Sequence, residues 1–276
     1  MEKKRVLLSV PIIGHLLRFL LALLRLPQNT RLLFALQSRV DSLQLKVASL
    51  KGKIEGAGSK PKQPREPKRN VNKWPDFPPL KAEHTEGARL FANRVDALQM
   101  LPKNTRVAEI GVARGDFSRR IIDLLEPTKF DAFDVFRLHE AGFFWGKHAS
   151  EHFNNLSQRE FYERRFETEI NSGRIEIFEG DGATKMTERP NAYYDVIYID
   201  GNHSYKGVLR DAVASEPKLK QDGILVFNDY VLRDSFTGDI FGVVPVVNEF
   251  CVERGWKIIY FALEQNMFCD IALARA

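Results

Sequence analysis

The stretch from Tyr194 to Tyr230 constrains the fold more than any other part of this chain. Val196 to Ile199 is an apolar run too short for a helix; it stops on Asp200 and turns at Gly201, as a buried parallel strand does when it delivers a side chain to a loop. A helical segment follows from about Ser204 to Leu219, and then a second apolar run, Ile224 to Phe227, ends on Asn228 and Asp229. Two neighbouring parallel strands therefore present three oxygen-bearing side chains at their carboxyl ends, the edge of an open α/β sheet where ligands bind.

Upstream, the same alternation sets in after Lys81. The spacing of Leu90, Phe91, Val95, Leu98 and Leu101 predicts a helix over Thr85–Leu101, and Arg106–Ile110 reads as the first strand. That strand runs into Glu109, Gly111, Ala113 and Gly115, spaced as in a glycine-rich turn between strand and helix. The second strand, Phe130–Val135, carries Asp134 about twenty residues past Gly115, where a Rossmann-like site places a carboxylate for ribose hydroxyls. Asp131 lies out of phase and reads as a surface residue. An aromatic-rich segment with Phe143, Phe144, Trp145, His148 and His152 interrupts the alternation as a lid, a substrate wall or loop packing. Ser157 and Glu160 form a capping box that starts a helix running to about Ile170. The third strand, Arg174–Phe178, leads to Asp181. Pro245–Glu253 is expected to be helical, with Trp256–Ala262 and Phe268–Ala274 as closing strands. The expected fold class is thus α/β, a Rossmann-like doubly wound sheet of seven strands, with an N-terminal helical extension.

The extension has its own chemistry. Of 41 Lys and Arg, 16 fall in residues 1–80 against 5 of the 36 acids, so this third carries net +11 and the remainder net −6. The basic balance belongs to the extension, and no nucleic-acid partner is expected of the sheet domain. Residues 1–27 hold a leucine-rich run, Val6–Leu26, in which Gly14, His15, Arg18, Ala22 and Arg25 share one side. Such a helix suits the headgroup region of a membrane, a peripheral association with the cytoplasmic side. A single-pass span would put Arg18 near mid-bilayer at about 2.5–3.5 kcal/mol, which this many leucines could offset; a signal peptide or a helix docked on a partner are further readings. Within residues 28–55, Leu33, Leu36, Val40, Leu43, Val47, Leu50 and Ile54 repeat every 3.5 residues, the pattern of a parallel two-stranded coiled coil and so of a homodimer through 33–54. A basic amphipathic helix on lipid satisfies the same pattern. Residues 56–80, rich in Pro, Lys and Arg, read as a solvated linker, and 81–276 as the sheet domain. Cys251 and Cys269 lack metal-ligand spacing and read as buried thiols.

Taken together, EIGVARG, the Asp134 strand end, the GDGAT turn, YIDGNHSY and GILVFNDY resemble the class I S-adenosylmethionine-dependent methyltransferases, most of all the macrocin-type small O-methyltransferases, over residues 81–276. The resemblance implies S-adenosylmethionine as cofactor, with Glu109, Gly111 and Gly115 at its methionine end, Asp134 on its ribose and Asp181 by its adenine. It further implies a magnesium ion held by Asp200, Asn228 and Asp229, with His203 as the base that deprotonates a hydroxyl of a small-molecule or glycan acceptor, and Asp200 beside it. Ala113 departs from the wider superfamily, which has glycine there, and the Asn228–Asp229 order is the reverse of the catechol-type enzymes. Each of these residues also has a plainer reading. Asp200 can cap the following helix, His203 can bond backbone in a turn, and Asn228 and Asp229 can be ordinary strand-end residues. A ligand-binding domain scaffolding a membrane assembly, or another nucleotide-cofactor enzyme, would use the same fold.

Overall fold

The computed structural model describes residues 76–264 and 267–276. The amphipathic segment 6–26, the heptad pattern 33–54 and most of the linker lie outside the described residues. Among those that are described, no helix is long and apolar enough to cross a membrane.

In chain order the elements are β1 (Arg89–Phe91), α1 (Arg94–Leu98), β2 (Arg106–Ile110), α2 (Asp116–Leu125), β3 (Lys129–Asp134), the hairpin β4 (Phe143–Phe144) and β5 (Lys147–His148), α3 (Ala149–His152), α4 (Gln158–Arg165), α5 (Glu167–Asn171), β6 (Ile175–Glu179), α6 (Gly182–Thr187), β7 (Tyr194–Ile199), α7 (Tyr205–Ser215), β8 (Leu219–Phe227), α8 (Val243–Arg254), β9 (Trp256–Ala262) and β10 (Asp270–Arg275). Eight strands form one sheet in the order β1-β9-β10-β8-β7-β2-β3-β6, and only β10 runs antiparallel to its neighbours. The chain winds outward from β2 in one direction and from β7 in the other. The crevice between their carboxyl ends is therefore the topological switch point.

Both faces of this sheet are covered, so the buried strands carry apolar residues on each side. Along β7, Ile197 and Ile199 join one core with Phe133, Phe227 and Phe250, while Val196 and Tyr198 join the other with Ile121, Phe130 and Tyr162. Asp131, expected at the surface, is fully buried and accepts a 2.6 Å bond from Tyr194 Oη, with Arg189 Nη2 at 3.2 Å. In a sheet covered on both faces the out-of-phase position is interior too, which the alternation argument ignored.

The expected helix over Thr85–Leu101 is the other correction. Gly87 has φ +78°, β1 pairs with β9, and α1 starts afresh at Arg94, where the Asn93 side chain accepts the Asp96 N–H. Leu90, assigned to the inward side of a helix, is 69% exposed on an edge strand, and β1 makes the sheet eight-stranded rather than seven. The Ser157–Glu160 capping box does start α4, but the helix breaks at Phe166 before α5. Cys251 and Cys269 are buried free thiols.

Candidate active site

Backbone bonds across the switch point fix the strand ends before any side chain acts. Asp200 N–H donates to the Ile110 carbonyl at 2.8 Å and Asn228 N–H to the Ile199 carbonyl at 3.0 Å, which carries the ladder one residue past each strand. His203, three residues beyond Asp200, returns over this edge: its Nε2 stands 3.5 Å from Asp200 Oδ1 and 3.6 Å from Asp229 Oδ2. That nitrogen is buried and has no hydrogen-bond partner among the described residues. The imidazole stacks on Phe241 at 4.7 Å between centroids, and the His203 carbonyl accepts the Gly242 N–H at 2.7 Å, so the loop after β8 holds the ring in place. Burial lowers the His203 pKa, opposed by contacts with Asn228 and Asp234. Burial thus favours the neutral ring, the form able to accept a proton.

The acids around it respond in the opposite sense. Asp200 is pushed well above the usual carboxylate range by burial, then by Asp229 and Glu109; Asp229 is pushed up to about 7, by burial and then Asp270. Asn228 lies deeper, 3% exposed, with Nδ2 donating to Asp270 Oδ1 at 3.1 Å and to the Tyr198 hydroxyl at 3.2 Å. Its amide nitrogen is committed inward, while its side chain also contacts His203. Two carboxylates and a carboxamide oxygen are a hard donor set that suits a divalent cation such as Mg²⁺. Among the described residues no three His, Cys, Asp or Glu side chains are gathered that could hold a metal, so the fit depends on the Asn228 oxygen.

Arg94 and Asp270 belong to this edge and were missed in the sequence. Asp270 accepts 2.7 Å from the Tyr198 hydroxyl, and Arg94 lies 3.9 Å from Asp270 and 3.3 Å from Glu264, its guanidinium over the Phe117 ring. Burial works against the Arg94 charge, but Tyr198, Asp270, Asp200 and Glu264 outweigh it. A lone acid opening the apolar strand Asp270–Arg275 was the available signal.

The residues expected at a cofactor divide into three situations. Glu109 is buried, bonded by the Ser118 hydroxyl, and raised to about 8 chiefly by burial. Asp134 accepts the N–H groups of Val112 (2.9 Å) and Ala113 (3.1 Å) on Oδ2 and that of Phe136 (2.8 Å) on Oδ1. It thus ties the turn after β2 to the end of β3, with the Gln158 side chain as a further donor. Gln158 supports the same turn, donating to the Ala113 carbonyl at 2.9 Å and accepting from Leu138 N–H at 2.7 Å. Asp181 stands apart: it caps α6 through Thr184, pairs with Arg210 at 2.7 Å, and these bonds, Thr184 first, lower its pKa. Gly111 and Gly115 are required by the protein itself. A Cβ on Gly111 would meet the Asp200 carbonyl, and one on Gly115 the Phe166 and Tyr162 rings.

The carboxyl edge thus brings together raised acids, an ordered turn after the first long strand and a buried imidazole whose Nε2 makes no hydrogen bond among the described residues. Residues 108–230 match the family model of a methyltransferase domain. The match covers just under half of the chain, contains Glu109, Asp200, His203 and Asp229 but not Arg94 or Asp270, and supports a class I methyltransferase, for which S-adenosylmethionine is the expected donor. No curated relative matches the chain.

Solved structures that resemble it include the pyocyanin biosynthetic protein PhzM (12% identity, TM-score 0.47, covering 67% of this chain and 55% of that one), the B. subtilis M1A22 tRNA methyltransferase TrmK (13%, 0.45, 67% and 66%) and an rRNA methylase from Streptococcus thermophilus (12%, 0.43, 66% and 93%). The chain spans little more than half the length of the first and about two thirds of the second. None of these likenesses bears on what this chain acts on.

Proposed function

We propose that the chain is an S-adenosylmethionine-dependent O-methyltransferase acting on a sugar or polyol hydroxyl, with His203 as the base. The observation that carries this reading is the buried, unbonded Nε2 of His203, 3.5–3.6 Å from Asp200 and Asp229 at the switch point. Methyl transfer to a hydroxyl needs the nucleophile aligned and its proton removed, and positioning supplies most of the rate. Nε2 takes the hydroxyl proton, and Asp200 and Asp229, 3.5 and 3.6 Å away, stabilise the imidazolium in their ionised forms. Phe241 keeps the ring from turning away. The turn after β2, closed by Asp134, and the buried Glu109 form the side of the crevice for the cofactor, which supplies the methyl group as an electrophilic sulfonium. Asp200, Asn228 and Asp229 would hold Mg²⁺, which lowers the pKa of a coordinated hydroxyl. Residues 6–26 would bring the domain to a membrane surface, and 33–54 would pair two copies, in glycan or secondary-metabolite biosynthesis.

The test is transfer from labelled S-adenosylmethionine to a panel of sugars and polyols by the full chain and by His203→Asn. Loss of about 10²–10⁴-fold in kcat with unchanged binding of S-adenosylhomocysteine supports the reading. Methylation confined to amine acceptors, or an undiminished variant, refutes it.

A further inference from the structure

The β4–β5 hairpin spends an unfavourable backbone position on an exposed tryptophan. Its two-residue turn is Trp145–Gly146, with φ +42° and +74°, both positive as a type I′ turn requires. Asn, Asp or Gly takes the first of these places at little cost; a bulky residue there is strained, and such strain persists where it serves a function. Trp145 meets Phe144 and His152 edge-on, with centroids at 5.1 and 6.0 Å, yet it stays 60% exposed, as is Phe143 on the flanking strand. The hairpin is nonetheless firmly built. Phe144 stacks on His152 at 4.3 Å, His152 Nε2 bonds the Phe144 carbonyl at 2.8 Å, and Ala149 N–H closes the base on the Gly142 carbonyl at 2.7 Å.

A second apolar projection leaves the same edge of the sheet. Asp234 caps the loop after β8 through the N–H groups of Phe236 and Thr237, and it displays Phe236 at 59% exposure, stacked on Phe268 at 5.8 Å. Met267, 62% exposed, sits in the β9–β10 connection. β3, β8 and β9 all run the same way, so the three connections leave from the carboxyl edge.

We propose that this edge docks on a lipid bilayer, with Trp145 and Phe143 entering the headgroup region. Aromatic side chains beside a lysine, here the exposed Lys147, are the composition of membrane interfaces. A stable protein partner needs about 800 Å² of continuous surface from each side, whereas these exposed residues sit on three separate connections, and a bilayer accepts isolated side chains. The proposal stands independently of the reaction, and because residues 6–26 can themselves bring the full chain to a vesicle, its readout is contact of Trp145 with the acyl chains rather than binding.

The full chain is mixed with vesicles of phosphatidylcholine and phosphatidylglycerol whose acyl chains carry bromine, and tryptophan emission is compared with that of Trp145→Phe. Quenching that is present in the parent and lost in the variant is the expected result. Equal quenching in both, or none in the parent, overturns the proposal. So does a Trp145 emission shift that follows protein concentration without lipid, which would assign the hairpin to a second copy. Phe143→Ser, which keeps Trp145 as reporter, is expected to unfold at the parent's temperature and to lower the bromine-dependent quenching, and undiminished quenching would remove Phe143 from the docking surface.

Discussion

Replacing Gly111 by alanine places a methyl carbon 2.1 Å from the Asp200 carbonyl oxygen, 2.5 Å from its carbon and 2.8 Å from Gly201 Cα. All three are backbone atoms, and they cannot retreat without breaking the 2.8 Å bond from Asp200 N–H to the Ile110 carbonyl. The position also has φ +89°, a conformation that costs an L-residue about 1–2 kcal/mol. Overpacking of a dense interior adds about 1–3 kcal/mol. The sum, about 2–5 kcal/mol, is a large part of the 5–15 kcal/mol typical of a domain and corresponds to a fall in Tm of roughly 4–20 °C. Gly173 supplies the control, with φ +73° and nothing within 4 Å of a built Cβ, so that Gly173→Ala is charged with the dihedral alone, about 1–2 kcal/mol. Thermal and urea unfolding of both variants separate the two contributions. Equal losses would refute the close approach of β2 and β7 at the switch point, and with it the placement of Asp200.

Three further outcomes are expected. Glu109 has a pKa of about 8 in the folded protein against 4.5 ordinarily, so between those values the folded state holds a proton that the unfolded chain releases. Stability then falls as pH rises through that window, by up to about 1.4 kcal/mol per pH unit, and Glu109→Gln abolishes this component; parallel pH dependences in urea unfolding of the ligand-free proteins would contradict it. Methyl transfer is expected to fall in EDTA and to return with Mg²⁺; transfer indifferent to EDTA would remove Asp200, Asn228 and Asp229 as metal ligands while leaving His203 as base. Deleting residues 1–56 is expected to leave S-adenosylhomocysteine binding intact and to lower the oligomeric state seen by light scattering, and loss of binding would show that the extension contributes to the site.

The ends of β7 and β8, residues 196–199 and 224–227, were legible because a stretch buried on both faces is a continuous apolar run and a polar residue at its end marks where the core stops. The start of β8 was not, since it opens on the largely polar residues 219–223, where a helix was expected to reach Leu219. The elements that failed are those whose physics is not local. β1 has three residues, and Leu90 and Phe91 fit a helical spacing as well as an edge strand; what decides is pairing with β9, far along the chain. The Arg94–Asp270 contact is likewise a product of the sheet order, invisible until β10 is known to insert between β9 and β8. For Gly111 the sequence located the turn correctly, but the atom that excludes a side chain is the Asp200 carbonyl of the neighbouring strand.

The same convergence explains why the crevice is costly to the fold. Glu109, Asp200, Asp229 and Asp270 are each raised, first by burial and then by one another or by nearby acids, and Arg94 is the cation that opposes all four. Ser118, Tyr198 and Asn228 satisfy part of the acids' hydrogen-bonding capacity but supply no charge. At neutral pH this cluster therefore retains protons that isolated carboxylates would have lost. On the proposed reading, a cation held by these acids would displace those protons, and its affinity would rise with pH through the range in which Asp229, pushed up to about 7, gives up its proton. A neutral ligand of the same shape would gain nothing from these acids and would leave the protons where they are.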